Sequence, residues 1–225
     1  MDKEHFLDIW HGDILLDNQP DDYRVFLNDE EIERAGRFTR TELKNKYIKT
    51  RGILRKILAH YLNIEPQKIE IKIGEFGKPY VSNKSLFFNL SHTANQFVIA
   101  VSNVSELGVD MEICRVRKSM TGLVEKCFAE IERDYWHSLA DEQKINMFFQ
   151  FWVKKEAFVK AVGRGIALGL DQCVINPEQQ TQFLSIPNEY GLVTDWKIVD
   201  ISLAEDEACA LVTKDKAFRY KQIKV

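Results

Sequence analysis

The 225 residues are 45% hydrophobic and 29% charged, with 31 Lys plus Arg against 34 Asp plus Glu and only 11 Gly and 5 Pro. That composition excludes a disordered chain and a collagen-like fibre, and it fits one large domain or two smaller ones, each with a real core. The net charge of −3 argues against general nucleic-acid binding.

No apolar run approaches the roughly 18 residues that a membrane helix needs. The opening Met1-Asp2-Lys3-Glu4-His5 lacks the basic-then-apolar order of a secretion signal, so a cytoplasmic protein is expected. Cys114, Cys127, Cys173 and Cys209 show no Cys-x-x-Cys spacing and no His placed to complete a zinc site; reduced, mostly buried thiols are expected.

In chain order, a strand is expected at His5 to Ile14. Leu43, Tyr47, Leu54, Leu58 and Tyr61 then recur at helical spacing, a stripe that Asn63 should end. Lys44, Arg51 and Arg55 follow the same period. From Glu33 to Lys56 there are nine Lys or Arg and two Glu, either a solvated helix face or a site for phosphate groups. Strand-like runs follow at Ile69 to Ile73, Leu86 to Leu90, Phe97 to Ser102 and Gly108 to Ile113, with turns at Gly77-Lys78-Pro79 and Ser102-Asn103. A second helical region spans Thr121 to Val162, interrupted near Ala140-Asp141. Further strand-like runs lie at Gln172 to Asn176, Trp196 to Leu203, Cys209 to Thr213 and Phe218 to Val225. Helices then strands, twice over, imply an α+β fold of two halves, 1–107 and 108–225, meeting near Gly108 with a site between them.

In Gly108-Val109-Asp110-Met111-Glu112-Ile113 a strand would send Asp110 and Glu112 to one face, where two carboxylates repel and a hard cation would relieve them. A strand with one wet face is the plainer alternative. In Phe151-Trp152-Val153-Lys154-Lys155-Glu156-Ala157-Phe158-Val159-Lys160, Glu156 and Lys160 are one helical turn apart. That is an ordinary surface pair, unless the surrounding Phe148, Phe149, Phe151, Trp152 and Phe158 desolvate it. Gly163-Arg164-Gly165 fits a helix stop rather than a phosphate loop, because it follows a helix. Ser91 and His92, in Phe88-Asn89-Leu90-Ser91-His92-Thr93, leave a strand where their polar ends could reach a ligand or serve a purely structural role.

In order and spacing, these elements resemble the 4′-phosphopantetheinyl transferase family, specifically its Sfp-type branch, from about Arg37 to Gly169. The elements are the Arg51 to Arg55 helix, Gly77-Lys78-Pro79, the Asn89 to His92 run, the Asp110 to Glu112 block and the Lys154 to Lys160 block, with 46 positions from Asp110 to Glu156. The resemblance implies two similar α+β halves related by a pseudo-twofold, with the active site at their interface. It also implies transfer of the 4′-phosphopantetheine arm of coenzyme A to a serine of an apo acyl or peptidyl carrier protein, releasing adenosine 3′,5′-bisphosphate. By the same likeness Asp110, Glu112 and Glu156 would hold Mg²⁺, and Lys160 would meet the developing charge. Arg51, Lys78, Pro79, Ser91, His92 and Lys160 would grip the coenzyme. The general base is Glu156 first, with Glu132, 24 positions ahead, as the second candidate. Which of Lys44, Lys46, Lys49 and Arg55 meet phosphate stays open. Thr93 stands where many relatives have Ser. The segment Arg115 to Phe128 suits docking of an acidic helical carrier or is simply a solvated loop. A monomer is expected, since one chain carries both halves. The alternative is a noncatalytic scaffold of the same fold that binds coenzyme A or carrier protein.

Overall fold

Two strands have no wet face. In β5 (Gln96–Ser102), Phe97, Ile99 and Val101 bury into one apolar cluster while Val98 and Ala100 bury into another. In β10 (Glu207–Thr213), Ala208, Ala210 and Val212 divide in the same way from Cys209 and Leu211. Strands buried on both faces must be covered from both sides. The computed structural model, which describes residues 5–14, 20–82, 86–214 and 220–224, resolves this as four layers: helix, sheet, sheet, helix.

The first half runs β1 (Leu7–Asp13), α1 (Pro20–Arg24), α2 (Asp29–Gly36) and α3 (Thr41–Leu62), then the hairpin β2 (Ile71–Ile73) and β3 (Pro79–Val81), then β4 (Phe87–Thr93) and β5. The second runs β6 (Leu107–Ile113), α4 (Met120–Cys127), α5 (Glu130–Ser138) and α6 (Asp141–Ala161). After these come the hairpin β7 (Val174–Ile175) and β8 (Phe183–Ser185), then β9 (Lys197–Asp200) and β10. The sheet orders match as well, β1-β5-β4 and β6-β10-β9, with antiparallel pairing throughout each trio. The expected α+β fold of two like halves is therefore present. A further strand, β11 (Tyr220–Lys224), pairs in parallel with β1 and so joins the first sheet. The expected run began at Phe218; residues 218, 219 and 225 lie outside the described residues.

The two sheets meet through Leu7, Ile9, Val98 and Ala100 on one side and Leu107, Val109, Met111, Cys209 and Leu211 on the other. Helix α3 covers the outer face of the first sheet with Ile53, Leu54, Ile57 and Leu58, and Asn63 ends it in the left-handed region at φ 53°. Leu43, expected in the stripe, is 46% exposed. The expected helical region after Thr121 breaks twice, at Phe128-Ala129 as well as at Leu139-Ala140. All four cysteines are free, with Cys173 and Cys209 buried. Among the described residues no helix is long and apolar enough to cross a membrane.

Gly108 sets how closely α6 lies on β6. A Cβ there would stand 2.0 Å from the Ala157 carbonyl oxygen and 2.4 Å from the Ala161 nitrogen, backbone atoms that cannot rotate away. Gly108→Ala is accordingly expected to lower the unfolding free energy by about 1–3 kcal/mol, the range for overpacking. Urea denaturation reads this directly, and an unchanged midpoint would mean that α6 does not press on β6 at this position.

Candidate active site

Strands β4 and β6 belong to different sheets but run side by side, stitched through side chains. Because side chains alternate along a strand, Asn89, Ser91 and Thr93 all face β6. The Val109 N–H donates to Asn89 Oδ1 at 2.9 Å, Ser91 Oγ donates to Asp110 Oδ1 at 2.7 Å and Thr93 Oγ1 donates to Glu112 Oε2 at 3.4 Å. On β6, Leu107, Val109 and Met111 fill the space between the sheets. The opposite face, Gly108, Asp110 and Glu112, lies under α6. Ala157 and Ala161 sit over Gly108, which brings Glu156 and Lys160 of the same helix to Asp110.

Lys160 does not pair with Glu156, its neighbour one turn back. Its Nζ reaches across to Asp110 Oδ1 at 2.6 Å, to Ser91 Oγ at 3.0 Å and to the Val109 carbonyl at 3.4 Å. Glu156 is 8% exposed, and neither a hydrogen bond nor an ion pair reaches its carboxylate among the described residues. Burial pushes its pKa up to about 7, and the Asp110 charge adds to the rise; Lys160 opposes it, and Glu112 adds a smaller push. Asp110 is 5% exposed and its Oδ2 is buried without a hydrogen-bond partner. Glu112 is held by Arg117 at 2.8 Å, whose guanidinium lies over the Phe149 ring at 4.9 Å.

Among the described residues no three His, Cys, Asp or Glu side chains stand together as a preassembled metal cage. The donor chemistry nevertheless fits a hard divalent ion. An orphaned carboxylate oxygen on Asp110 and an unbonded carboxylate on Glu156 repel each other in a desolvated place, and Mg²⁺ bound through one or two carboxylates relieves that. Glu112, paired with Arg117, would be the outer member of such a set.

The remaining expected residues divide. His92 turns to the α3 side of β4, beside Lys46, whose Nζ donates to the Ala94 carbonyl. Desolvation and the charges of Lys46 and Lys160 hold the His92 pKa below its ordinary value. Lys78 and Pro79 line a neighbouring cleft of about 320 Å³ with Phe88 and Ala161. Arg51 is bound to Glu31 Oε1 through Nε at 2.7 Å and Nη2 at 2.5 Å, with its side chain 20% exposed.

Arg55, left open as a phosphate contact, is fully buried. It bonds Glu31 and the carbonyls of Pro66 and Ile69, which makes it a strut of the first half. Glu132, expected as a second candidate base, does not join the site. Its carboxylate is fully buried, pairs with Lys155 at 2.7 Å and accepts the N–H groups of Ala129 and Ile175, each at 2.7 Å. A carboxylate so enclosed has no path to a substrate proton. The sequence left Lys46 open as a phosphate contact and gave no role in this site to Asn89 or Arg117. Asn89 and Thr93 were legible, since their alternation with Ser91 matches that of Asp110 and Glu112.

Comparison with known proteins gives a consistent picture. Residues 20–104 match the model "4′-phosphopantetheinyl transferase, N-terminal", and residues 106–212 match that of the 4′-phosphopantetheinyl transferase superfamily. The 4′-phosphopantetheinyl transferase HetI of Nostoc sp. (strain PCC 7120) is 31% identical over 210 residues, covering 91% of this chain and 85% of HetI. The 4′-phosphopantetheinyl transferase gsp of Aneurinibacillus migulanus is 30% identical over 158 residues, 70% of this chain and 64% of that one. A 4′-phosphopantetheinyl transferase of Bacillus subtilis is 27% identical over 143 residues, 63% of this chain and 62% of its own length.

Proposed function

Because this chain belongs to the 4′-phosphopantetheinyl transferase superfamily, as an enzyme that moves a phosphopantetheine group onto carrier proteins, we propose that its donor is coenzyme A and that Asp110, Glu156 and Glu112 hold Mg²⁺ for the reaction. One observation carries the reading: a buried, partnerless oxygen of Asp110 lies near an equally unbonded Glu156 at the seam between two halves.

In this reading the hydroxyl oxygen of the carrier serine bonds to the phosphorus that bears the pantetheine arm. The bond from that phosphorus to the bridging oxygen breaks, and adenosine 3′,5′-bisphosphate leaves. When bound, the divalent ion draws charge from the pyrophosphate. Lys160 already stands as an ammonium at the Asp110 and Ser91 side of the seam, where it can share the charge that develops on the leaving oxygen. Glu156, whose carboxylate no hydrogen bond or ion pair occupies among the described residues, is the first candidate to take the serine proton. Ser91 and His92 offer hydrogen bonds to phosphate oxygens, with the Lys46 cation beside His92. Pro79, in the wall of the adjoining cleft, and by family likeness Arg51 would complete the surroundings of the coenzyme.

Val116, 77% exposed between the exposed Arg115 and the partly exposed Arg117, suits an acidic helical carrier laid against the second half. The protein works as a cytoplasmic monomer whose halves divide near Gly108. Mass spectrometry of apo carrier proteins incubated with coenzyme A tests the proposal. A gain of one phosphopantetheine arm is expected with Mg²⁺ and is lost on chelation; an undiminished gain under chelation would remove the metal from the account.

A further inference from the structure

We propose that Lys78 is a positioning residue, a clasp that fastens the hairpin of the first half onto the end of α6 and so holds Lys160 and Glu156 against Ser91 and Asp110. The hairpin β2–β3 closes tightly, with the Gly74 N–H donating to the Lys78 carbonyl at 2.8 Å, the Gly77 N–H donating to the Gly74 carbonyl at 3.0 Å, and Gly77 at φ 87°. That turn aims the Lys78 stem out of the first half and into the second. Its Nζ donates to the Ala161 carbonyl at 2.7 Å and to the Leu107 carbonyl at 3.1 Å.

The first acceptor lies in the last turn of α6, where carbonyls lack helical partners and the helix end attracts a cation. The second is the residue at which β6 begins. One ammonium thus ties together the two elements that carry the acidic set, one residue from Lys160 and three from Asp110. Two neighbouring contacts reinforce the dock. Gly163, at φ 74°, lets the chain turn over the Lys78 stem, where a Cβ would come within 3.4 Å of Lys78 Cδ, and the Arg164 guanidinium lies over the Phe76 ring at 4.4 Å.

An ammonium has three protons, and two of those on Lys78 go to backbone carbonyls. The geometry therefore suits a clasp better than the coenzyme contact implied by family likeness. Burial also brings the Lys78 pKa down to about 8. The consequence for turnover rests on the transferase reading of the site, whereas the clasp itself does not.

Three measurements on the full chain test it: amide hydrogen exchange without ligand, calorimetric coenzyme A affinity, and steady-state transfer. In Lys78→Met, exchange across residues 71–81 and 158–163 should rise about tenfold or more. The turnover number should fall about tenfold, with KM and Kd for coenzyme A changed by no more than about twofold, and Lys78→Arg should recover most of the rate. Unchanged exchange overturns the clasp, as does a large rise in Kd with turnover preserved. If Lys78→Met does not fold, Arg164→Met loosens the same dock from the other side. It should raise exchange in both segments by a smaller factor, and exchange left unchanged there also overturns the proposal. If the wild-type protein transfers nothing, the transferase reading fails while the exchange result still decides the clasp.

Discussion

Glu156→Gln should abolish transfer and at the same time make the metal-free protein more stable near neutral and alkaline pH. In the wild type the Glu156 carboxyl is buried beside Asp110 with no bond to compensate it, which brings its pKa from 4.5 up to about 7. A carboxyl with a raised folded pKa keeps its proton in the native state after the unfolded chain has released it. Its contribution to stability is complete below pH 4.5 and is lost as pH rises through about 7, an effect of up to about 3 kcal/mol. Glutamine keeps the shape without the charge, so the variant should escape that loss. Thermal unfolding of the wild type should show a falling midpoint between pH 5 and 8 that Mg²⁺ restores, whereas the variant should show a flatter profile and little response to Mg²⁺. If Glu156 is both a metal ligand and the proton acceptor, as proposed, transfer should drop by a factor of about 10³ or more. A variant that is less stable at pH 8 and still transfers would contradict both assignments.

Glu132→Ala should do the reverse, damaging the fold before the chemistry. Lys155 is fully buried on α6, and its other partners are the carbonyls of Leu170 at 3.0 Å and Cys173 at 2.5 Å. Removing Glu132 leaves that ammonium without its counter-charge and orphans the N–H groups of Ala129 and Ile175, at a cost of about 3–5 kcal/mol. In urea the midpoint should fall sharply, and the residual folded protein should keep a measurable rate. A Glu132→Gln variant with an unaltered midpoint and no transfer would instead make this carboxylate part of the chemistry. The pair has a positional consequence too. Lys155 precedes Glu156 on the helix, so the anchor that fixes one fixes the direction of the other.

Elements whose burial follows a simple period were legible in the sequence. Asn63 closes α3, and the runs at Phe97 to Ser102 and Cys209 to Thr213 are strands. Leu54 and Leu58 of the α3 stripe are buried as expected, but the buried surface of that helix is wider than one stripe because it is covered on two sides. Ile53 and Ile57 meet the sheet, while Ile48 packs with Leu27 and Ala35 of the α2 region. Helix α2 went unread although Asn28 and Glu31 form a capping box that announces its start. Strand β3 was hidden by Pro79 at its first position. Within the site, the shared face of Asp110 and Glu112 follows from alternation alone. The sequence could not tell which cations of Lys154, Lys155 and Lys160 face inward, since partners such as Asp200, Glu132 and Asp110 come from distant segments. The basic run of α3 divides for the same reason. Glu31 captures Arg51 and Arg55, whereas Lys46 reaches the turn after β4.

The central claim is that Asp110 and Glu156, brought together from β6 and α6, share one divalent ion. Anomalous diffraction from a crystal soaked with Mn²⁺ and coenzyme A tests this most directly. The account predicts a single strong peak at about 2.1–2.2 Å from a carboxylate oxygen of each residue, with pyrophosphate oxygens completing the shell. A peak bound elsewhere, with Lys160 still seated on Asp110 and Glu156 unligated, would contradict it.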